Sequence, residues 1–124
     1  MAIRLPASDT TLRELQRFHE SLDREKKFDR DMIANTAYLA EEVGEVVSAI
    51  RQLNRVHEDA ERDQAKGHLG AELSDCLAYI LKLANYAEID LQDAYLRKMQ
   101  KNLGRDWNAD CKKQKCSSVG GLTD

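Results

Sequence analysis

Residues 39–50 read Leu39-Ala40-Glu41-Glu42-Val43-Gly44-Glu45-Val46-Val47-Ser48-Ala49-Ile50, and this stretch decides the fold. An α-helix advances about 100° per residue, so the apolar residues here gather on one side, which we expect to be buried. These residues are Val43, Val46, Val47, Ile50 and Leu53. Glu42 projects at the edge of that side, and Glu45 follows one turn later. The pattern predicts an amphipathic helix with two carboxylates along the margin of its buried face.

A second stretch, residues 69–80, repeats this arrangement as Leu69-Gly70-Ala71-Glu72-Leu73-Ser74-Asp75-Cys76-Leu77-Ala78-Tyr79-Ile80. Glu72 lies at the border of the apolar face, and Asp75 lies one turn beyond it. The face expected to be buried consists of Leu69, Leu73, Cys76, Leu77, Ile80 and Ala84. Burying an unpaired carboxylate is costly unless a proton or a cation neutralises it. Two such acidic pairs can therefore meet only around a positive charge.

Length and composition indicate a single soluble domain. The chain has 124 residues, of which 33% are charged and 42% hydrophobic, as is ordinary for a globular protein. The net charge of −3 gives no reason to expect nucleic acid or an anionic membrane as a partner. No apolar run reaches the roughly 18 residues of a membrane span, and the first residues lack the apolar core of a secretory signal. We therefore expect a cytoplasmic protein.

Hydrophobic periodicity predicts four helices and no strand. The helices are expected over about residues 11–27, 32–54, 68–87 and 91–103. Residues 55–67 are nearly devoid of apolar side chains, and the periodicity leaves open whether they form a loop or a solvated helical extension. Either alternative lets the third helix fold back antiparallel to the second. We expect an all-α, antiparallel four-helix bundle over residues 1–107 and a polar, flexible tail over residues 108–124.

The two acidic pairs offer hard oxygen ligands only, from Glu42, Glu45, Glu72 and Asp75. This set suits Mg²⁺, or Mn²⁺, better than zinc or copper. Protein-bound Mg²⁺ keeps water positions that substrate phosphates can fill, which favours a phosphate ester or anhydride as substrate. A di-iron site would require a Glu-x-x-His motif on each of two helices. The acidic residues at both histidine positions argue against an oxidase.

The fourth predicted helix carries a cationic stripe. Lys98, Asn102 and Arg105 stand at i, i+4 and i+7, within about 60° of one another, and Lys101 flanks them. Such a stripe beside an acidic metal site would help to neutralise a polyphosphate, although a solvated helix face explains the spacing equally well. The packing side of this helix is expected to consist of Tyr95, Met99 and Leu103.

These motifs, in this order, resemble the MazG-like, all-α nucleoside triphosphate pyrophosphohydrolase superfamily. The resemblance covers roughly residues 35–107 and rests on the segments 41–45, 72–75 and 98–105. It implies a four-helix fold that assembles as a homodimer or homotetramer and hydrolyses a nucleoside triphosphate to the monophosphate and pyrophosphate. It also implies Mg²⁺ at the four acidic residues and phosphate contacts from Lys98, Asn102 and Arg105.

Two further roles are hypotheses from the sequence. Glu41 is assigned as the general base, because it belongs to the acidic cluster and is the carboxylate least committed to the metal; the alternative is an ordinary surface glutamate. Phe18 and His19, on the first helix, are candidates for a base pocket, although a histidine at this point is also typical of a core or rim residue.

The sequence thus predicts a Mg²⁺-dependent enzyme that cleaves the α–β phosphoanhydride of ribo- or deoxyribonucleoside triphosphates and serves to clean the nucleotide pool. Two alternatives stay open. The first is an enzyme like the phosphoribosyl-ATP pyrophosphohydrolase of histidine synthesis. The second is a non-catalytic helical module that uses its acidic patch to bind a metal or a basic protein.

Overall fold

The computed structural model describes residues 2–105, and in this part of the chain it forms four α-helices and no strand. The helices are α1 (Leu12–Lys26), α2 (Met32–Arg55), α3 (Asp59–Tyr86) and α4 (Leu91–Leu103). The prediction of an all-α fold with four helices is confirmed. The chain divides into two compact units between Gln92 and Asp93. The predicted tail over residues 108–124 lies outside the described residues.

Capping signals in the sequence place the helix ends. Thr11 caps α1, because its hydroxyl accepts from Glu14 N at 3.2 Å while the Glu14 carboxylate accepts from Thr11 N at 3.0 Å. Asp31 caps α2 by accepting from Ala34 N at 2.9 Å. Lys27 ends α1 in the left-handed conformation, with a φ of 54°. The break between α1 and α2 is therefore encoded locally.

The start of α3 differs from the prediction. The helix begins at Asp59 rather than at about His68, so most of the polar segment is a helical extension and not a loop. Arg62 in this extension donates from Nη1 to the carbonyls of Leu53 and Val56, at 3.3 and 3.1 Å. These bonds satisfy carbonyls at the end of α2. Periodicity could not reveal the extension, because residues 55–67 carry few apolar side chains and Arg62 contacts the end of α2 through hydrogen bonds.

The helices α2 and α3 pair in antiparallel directions. The ring centroid of Tyr38, near the start of α2, lies 6.0 Å from that of Tyr79, near the end of α3. On α2 the buried residues are Asn35 and Ala49, and both project within about 20° of Glu42. On α3, Ala65 is buried and projects about 20° from Glu72. The two helices thus pack along their small residues and carboxylates.

The expectation that the apolar sides of α2 and α3 are buried is wrong in the single chain for six of the eleven residues that it covered. Six of the predicted core residues are between 40% and 51% exposed: Val43, Val47, Ile50, Leu73, Leu77 and Ile80. On a helical wheel, the three residues of α2 project about 80° to 140° from Glu42, and the three residues of α3 project by the same angles from Glu72. They therefore lie to one side of the α2–α3 contact, and neither helix covers the stripe of the other. We call these six residues the apolar stripe.

Three polar residues that the periodicity did not single out are buried instead: Gln16, Asp23 and Asn35. Gln16 joins α1 to the segment after α3, because its side chain donates to Ile89 O and accepts from Leu91 N at 3.0 Å. Asn35 donates to the carbonyls of Asp29 and Asp31, at 2.9 and 2.7 Å. These paired polar groups fix how α1 and the start of α2 are placed.

The second unit contains most of α4, which has no buried residue. Tyr95 and Leu103, two of the three residues expected to pack, are exposed, and Leu103 is 88% exposed. Met99, the third, is half-buried. The amphipathic pattern predicted the helix correctly, but an apolar side needs a covering surface before it is buried. None of the described helices is both long enough and apolar enough to cross a membrane.

Candidate metal centre and adjoining pocket

Three of the predicted metal ligands converge where α2 faces α3. Glu42, Glu72 and Asp75 each offer a carboxylate oxygen, and these oxygens all lie within 4.8 Å of one another. Glu42 and Glu72 are half-buried, and Asp75 is exposed. The antiparallel pairing places the middle of α2 opposite the middle of α3, and the one-turn spacing puts Glu72 and Asp75 on the same side of their helix.

The convergence creates electrostatic strain. The pKa of Glu42 is raised above its usual value, chiefly because the helix contact desolvates the carboxylate and then because the charge of Asp75 repels it. A hydrogen bond with Glu72 and the charges of Glu72 and Glu45 raise it further. Desolvation followed by the charge of Glu42 likewise raises the pKa of Tyr79. A divalent cation would relieve this repulsion.

The donor set fits a hard cation. In the octahedral shell of Mg²⁺, with a metal–oxygen distance of about 2.1 Å, neighbouring ligand atoms lie about 3.0 Å apart and opposite ones about 4.2 Å apart. The three carboxylate oxygens lie within 4.8 Å of one another, so they are grouped closely enough to be ligands of one Mg²⁺ or Mn²⁺ ion. His68 lies beside this group, with Nε2 at 3.9 Å from Glu72 Oε1. From that position His68 is suited to orient the Glu72 carboxylate rather than to bind the metal itself.

The other two acidic residues of the first motif lie outside the converging group. Glu45 and Glu41 are both exposed on α2. Glu45 adds to the negative field on Glu42, and Glu41 adds to that on Tyr79. Glu45 as the fourth ligand and Glu41 as the general base stay predictions.

A pocket of about 250 Å³ adjoins the carboxylates. Its lining comes from α1, the turn after it, α2 and α3, and consists of His19, Leu22, Asp23, Phe28, Glu42, Asp75, Ala78, Tyr79 and Lys82. Two metal-ligand candidates therefore share a cavity with aromatic side chains. His19 lies here, and burial, more than any other cause, lowers its pKa, which favours the neutral imidazole. Phe18 lines a separate cavity between the N-terminal segment and α1.

The pocket also contains charged residues that the sequence reasoning missed. Lys82 Nζ lies 3.5 Å from Asp23 Oδ1, and the Tyr86 hydroxyl donates to Asp23 Oδ2. The same ammonium lies 5.0 Å from the ring centroid of Phe28 and 5.1 Å from that of Tyr79. One signal was available: Lys82 is the single charge in the apolar run 76–84 and has no acidic residue three or four positions away.

The predicted phosphate-binding residues belong to the second unit. Lys98 and Lys101 are exposed on α4, and Arg105 follows the helix. Asn102 is half-buried, with Nδ2 at 4.0 Å from Met99 Sδ, while its Oδ1 has no hydrogen-bond partner among the described residues. Their contact with phosphates stays a prediction.

Comparison with known proteins adds one finding. The family model described as the MazG nucleotide pyrophosphohydrolase domain matches residues 30–109, about two thirds of the chain. The matched region spans α2, α3 and α4 and so contains all three converging carboxylates. A search of curated proteins found no match.

Proposed function

The chain belongs to the MazG nucleotide pyrophosphohydrolase family, and on this premise we propose that it hydrolyses nucleoside triphosphates between the α- and β-phosphates, yielding the monophosphate and pyrophosphate. The convergence of Glu42, Glu72 and Asp75 beside a pocket with aromatic walls supports this proposal. Carboxylates around a divalent cation suit the phosphates of a nucleotide, and aromatic rings suit its base. Such an activity would remove unwanted nucleotides from the pool.

In the proposed reaction, separate residues would bind the metal, accept a proton and contact the phosphates. Bound Mg²⁺ would polarise the phosphate oxygens and screen part of their charge. Glu42, Glu72 and Asp75 would hold this ion, with Glu45 as a further ligand. Glu41, outside the converging group, would accept the proton of the attacking water. On α4 the donors Lys98, Lys101, Asn102 and Arg105 would stabilise the charge of the departing pyrophosphate.

Product analysis tests the reaction directly. We expect the full chain with Mg²⁺ to release pyrophosphate and a nucleoside monophosphate from at least one member of a panel of ribo- and deoxyribonucleoside triphosphates, with phosphoribosyl-ATP included. Release of orthophosphate would place cleavage at the γ-phosphate and contradict the proposal. Turnover of phosphoribosyl-ATP alone would favour the histidine-synthesis alternative. Metal binding without any product would favour the non-catalytic module.

The role of Glu41 has its own test. Replacing Glu41 by Gln removes the proton acceptor but preserves size, so we expect kcat to fall by about 10² to 10⁴. The affinity for Mg²⁺, measured by calorimetry, should stay nearly unchanged because Glu41 lies outside the three-carboxylate group. Glu25→Gln, at an exposed position on α1, is the matched control. Full activity in the Glu41 variant would remove this residue from the mechanism.

We also propose that the chain forms a homodimer or homotetramer through the apolar stripe. Its six residues project in corresponding directions from two paired helices, so the helices present one apolar surface. Contiguous exposed apolar surfaces often mark sites of protein–protein contact. A second copy offers the same surface, and a two-fold contact would make the two stripes self-complementary.

Charges placed in the stripe should dissociate the assembly. We expect the wild-type chain to elute as a dimer or tetramer in size-exclusion chromatography with light scattering, and the double variant Val47→Glu, Leu77→Glu to elute as a monomer with unchanged helicity. Ser48→Glu, at an exposed position on another side of α2, should leave the assembly intact. A wild-type chain that is monomeric at micromolar concentration would contradict this proposal.

A further inference from the structure

We propose that Lys82 and Asp23 form a base-reading pair, which selects nucleoside triphosphates whose base presents a carbonyl oxygen next to a ring N–H. This keto edge occurs in uracil, thymine, guanine and hypoxanthine. The inference rests on the proposed function, because it names the substrate class of the same pocket. It concerns residues that lie outside the acidic and basic motifs and that only the packing of α1 on α3 brings together.

The location of the pair fits the length of a nucleotide. Lys82 follows Asp75 by seven residues on α3, which is two helical turns, or about 10.5 Å along the helix axis. Both residues line the same pocket, as do Asp23 and Glu42. If the carboxylates hold the metal and the phosphates, the sugar and the base must occupy the pocket beyond them. Lys82 lies at that distance along α3, and Asp23, its ion-pair partner, lines the same pocket.

One carboxylate oxygen of Asp23 forms no hydrogen bond within the described residues. The residue is only 2% exposed, and its Oδ2 accepts a hydrogen bond from the Tyr86 hydroxyl. Its Oδ1 is buried and faces Lys82 Nζ at 3.5 Å, but it forms no hydrogen bond within residues 2–105. Buried polar atoms in folded proteins are nearly always hydrogen-bonded, so an exception in a pocket calls for an explanation. A ligand N–H would supply the hydrogen bond that the long ion pair with Lys82 does not.

Lys82 has more N–H donors than the one that faces Asp23. Its side chain is 12% exposed, and its described contacts are the 3.5 Å ion pair with Asp23 and the faces of two aromatic rings. An ammonium carries three N–H donors, and a ring face is a weak acceptor for them. A carbonyl oxygen would be a better one. The rings of Phe28 and Tyr79 add flat surfaces beside the pair, against which a planar base can pack.

The chemistry of the pair favours the keto edge. An ammonium only donates and a carboxylate only accepts, so the matching ligand carries an acceptor next to a donor. A carbonyl oxygen has two lone pairs and binds the charged ammonium strongly, and the adjacent ring N–H can then reach Asp23. Cytosine and adenine carry an amino group where these bases carry the carbonyl. With the amino group facing Lys82, donor would meet donor.

The test compares kcat/KM of the full-length enzyme with Mg²⁺ for dUTP, dTTP, dGTP, dCTP and dATP. We expect the keto substrates to be preferred by at least about tenfold. Lys82→Met keeps the length of the side chain but removes its charge and donors, so it should lower kcat/KM for the keto substrates about 10- to 100-fold and for the amino substrates less than threefold. Lys66→Met, at an exposed position on the same helix, should change neither.

A second variant separates the loss of base selectivity from a loss of folding. The double replacement Lys82→Met, Asp23→Asn leaves no unpaired buried charge, and we expect it to show the same loss of keto preference. An equal fall for all five substrates would overturn the proposal, because it would mean that Lys82 acts on the phosphates or on the fold. A wild-type preference for dCTP or dATP that Lys82→Met abolishes would also overturn it, since the pair would then read the amino edge.

Binding separates this inference from the proposed function. If the wild-type enzyme releases no pyrophosphate from any substrate, the proposed reaction fails. In that case non-hydrolysable analogues of dUTP and dCTP are titrated by calorimetry. Tighter binding of the dUTP analogue, lost in Lys82→Met, would still support base reading by the pair. Equal binding of both analogues to the wild-type chain would reject it.

Discussion

Replacing Asp75 by Asn is expected to lower kcat/KM for nucleoside triphosphates by about a thousandfold, the equivalent of roughly 4 kcal/mol of transition-state stabilisation. The carboxylate oxygen of Asp75 lies within 4.8 Å of those of Glu42 and Glu72. An amide keeps the size of the side chain but removes the charge that a divalent cation requires. The affinity for Mg²⁺, measured by calorimetry, should fall together with the activity.

The control for this prediction is Asp63→Asn, which removes an exposed carboxylate from the same helix away from the cluster and should leave both quantities unchanged. Unchanged Mg²⁺ affinity in the Asp75 variant would show that the three carboxylates do not share an ion.

The wild-type chain should also bind Mg²⁺ more tightly as the pH rises. Glu42 has a raised pKa in the folded apo chain, so at lower pH it keeps a proton that the metal must displace.

Replacing Asp23 by Ala is expected to lower the free energy of unfolding by roughly 3 to 5 kcal/mol. Asp23 is almost fully buried, pairs with Lys82 and accepts from Tyr86. Its removal leaves a buried ammonium without a counter-ion and a hydroxyl without an acceptor, and both are costly. Urea denaturation followed by circular dichroism, at one fixed protein concentration, measures the change.

Two variants check the cause of this destabilisation. The double replacement Asp23→Ala, Lys82→Met should recover much of the lost stability, because no unpaired charge then remains buried. Glu25→Ala, at an exposed position on α1, should change stability by less than about 0.5 kcal/mol. If the double variant is as unstable as Asp23→Ala, the cost arises from a cavity or from Tyr86 and not from Lys82.

The proposed site combines residues of two kinds. The carboxylates of α2 and α3 belong to short motifs that the family resemblance already covers. Lys82 and Asp23 lie 59 residues apart in the chain and belong to no motif. The acidic motifs thus suggest the reaction, while the buried pair suggests how the pocket chooses its base. A mutation among the carboxylates should lower the rate for all substrates, whereas a mutation in the Lys82–Asp23 pair should change the preference among bases.

The sequence by itself determined the number of helices and their ends, except the start of α3, because period, capping and breaks are local signals. The apolar residues repeat every three or four positions, and Thr11 and Asp31 cap their helices through backbone groups within three residues. The one-turn spacing of Glu72 and Asp75 likewise puts both carboxylates on one side of α3. Local geometry is sufficient for each of these features.

Only the tertiary structure decided which sides of the helices are covered. The wheel showed a broad apolar side on α2, yet α3 packs along Ala49 and Glu42 and leaves Val43 and Val47 exposed. The tertiary structure also placed Glu45 outside the group of three carboxylates and joined Asp23 to Lys82. Burial depends on which surface a helix meets, and that surface comes from residues distant in the chain. A periodic pattern therefore indicates which residues can be buried but not which of them a single chain covers.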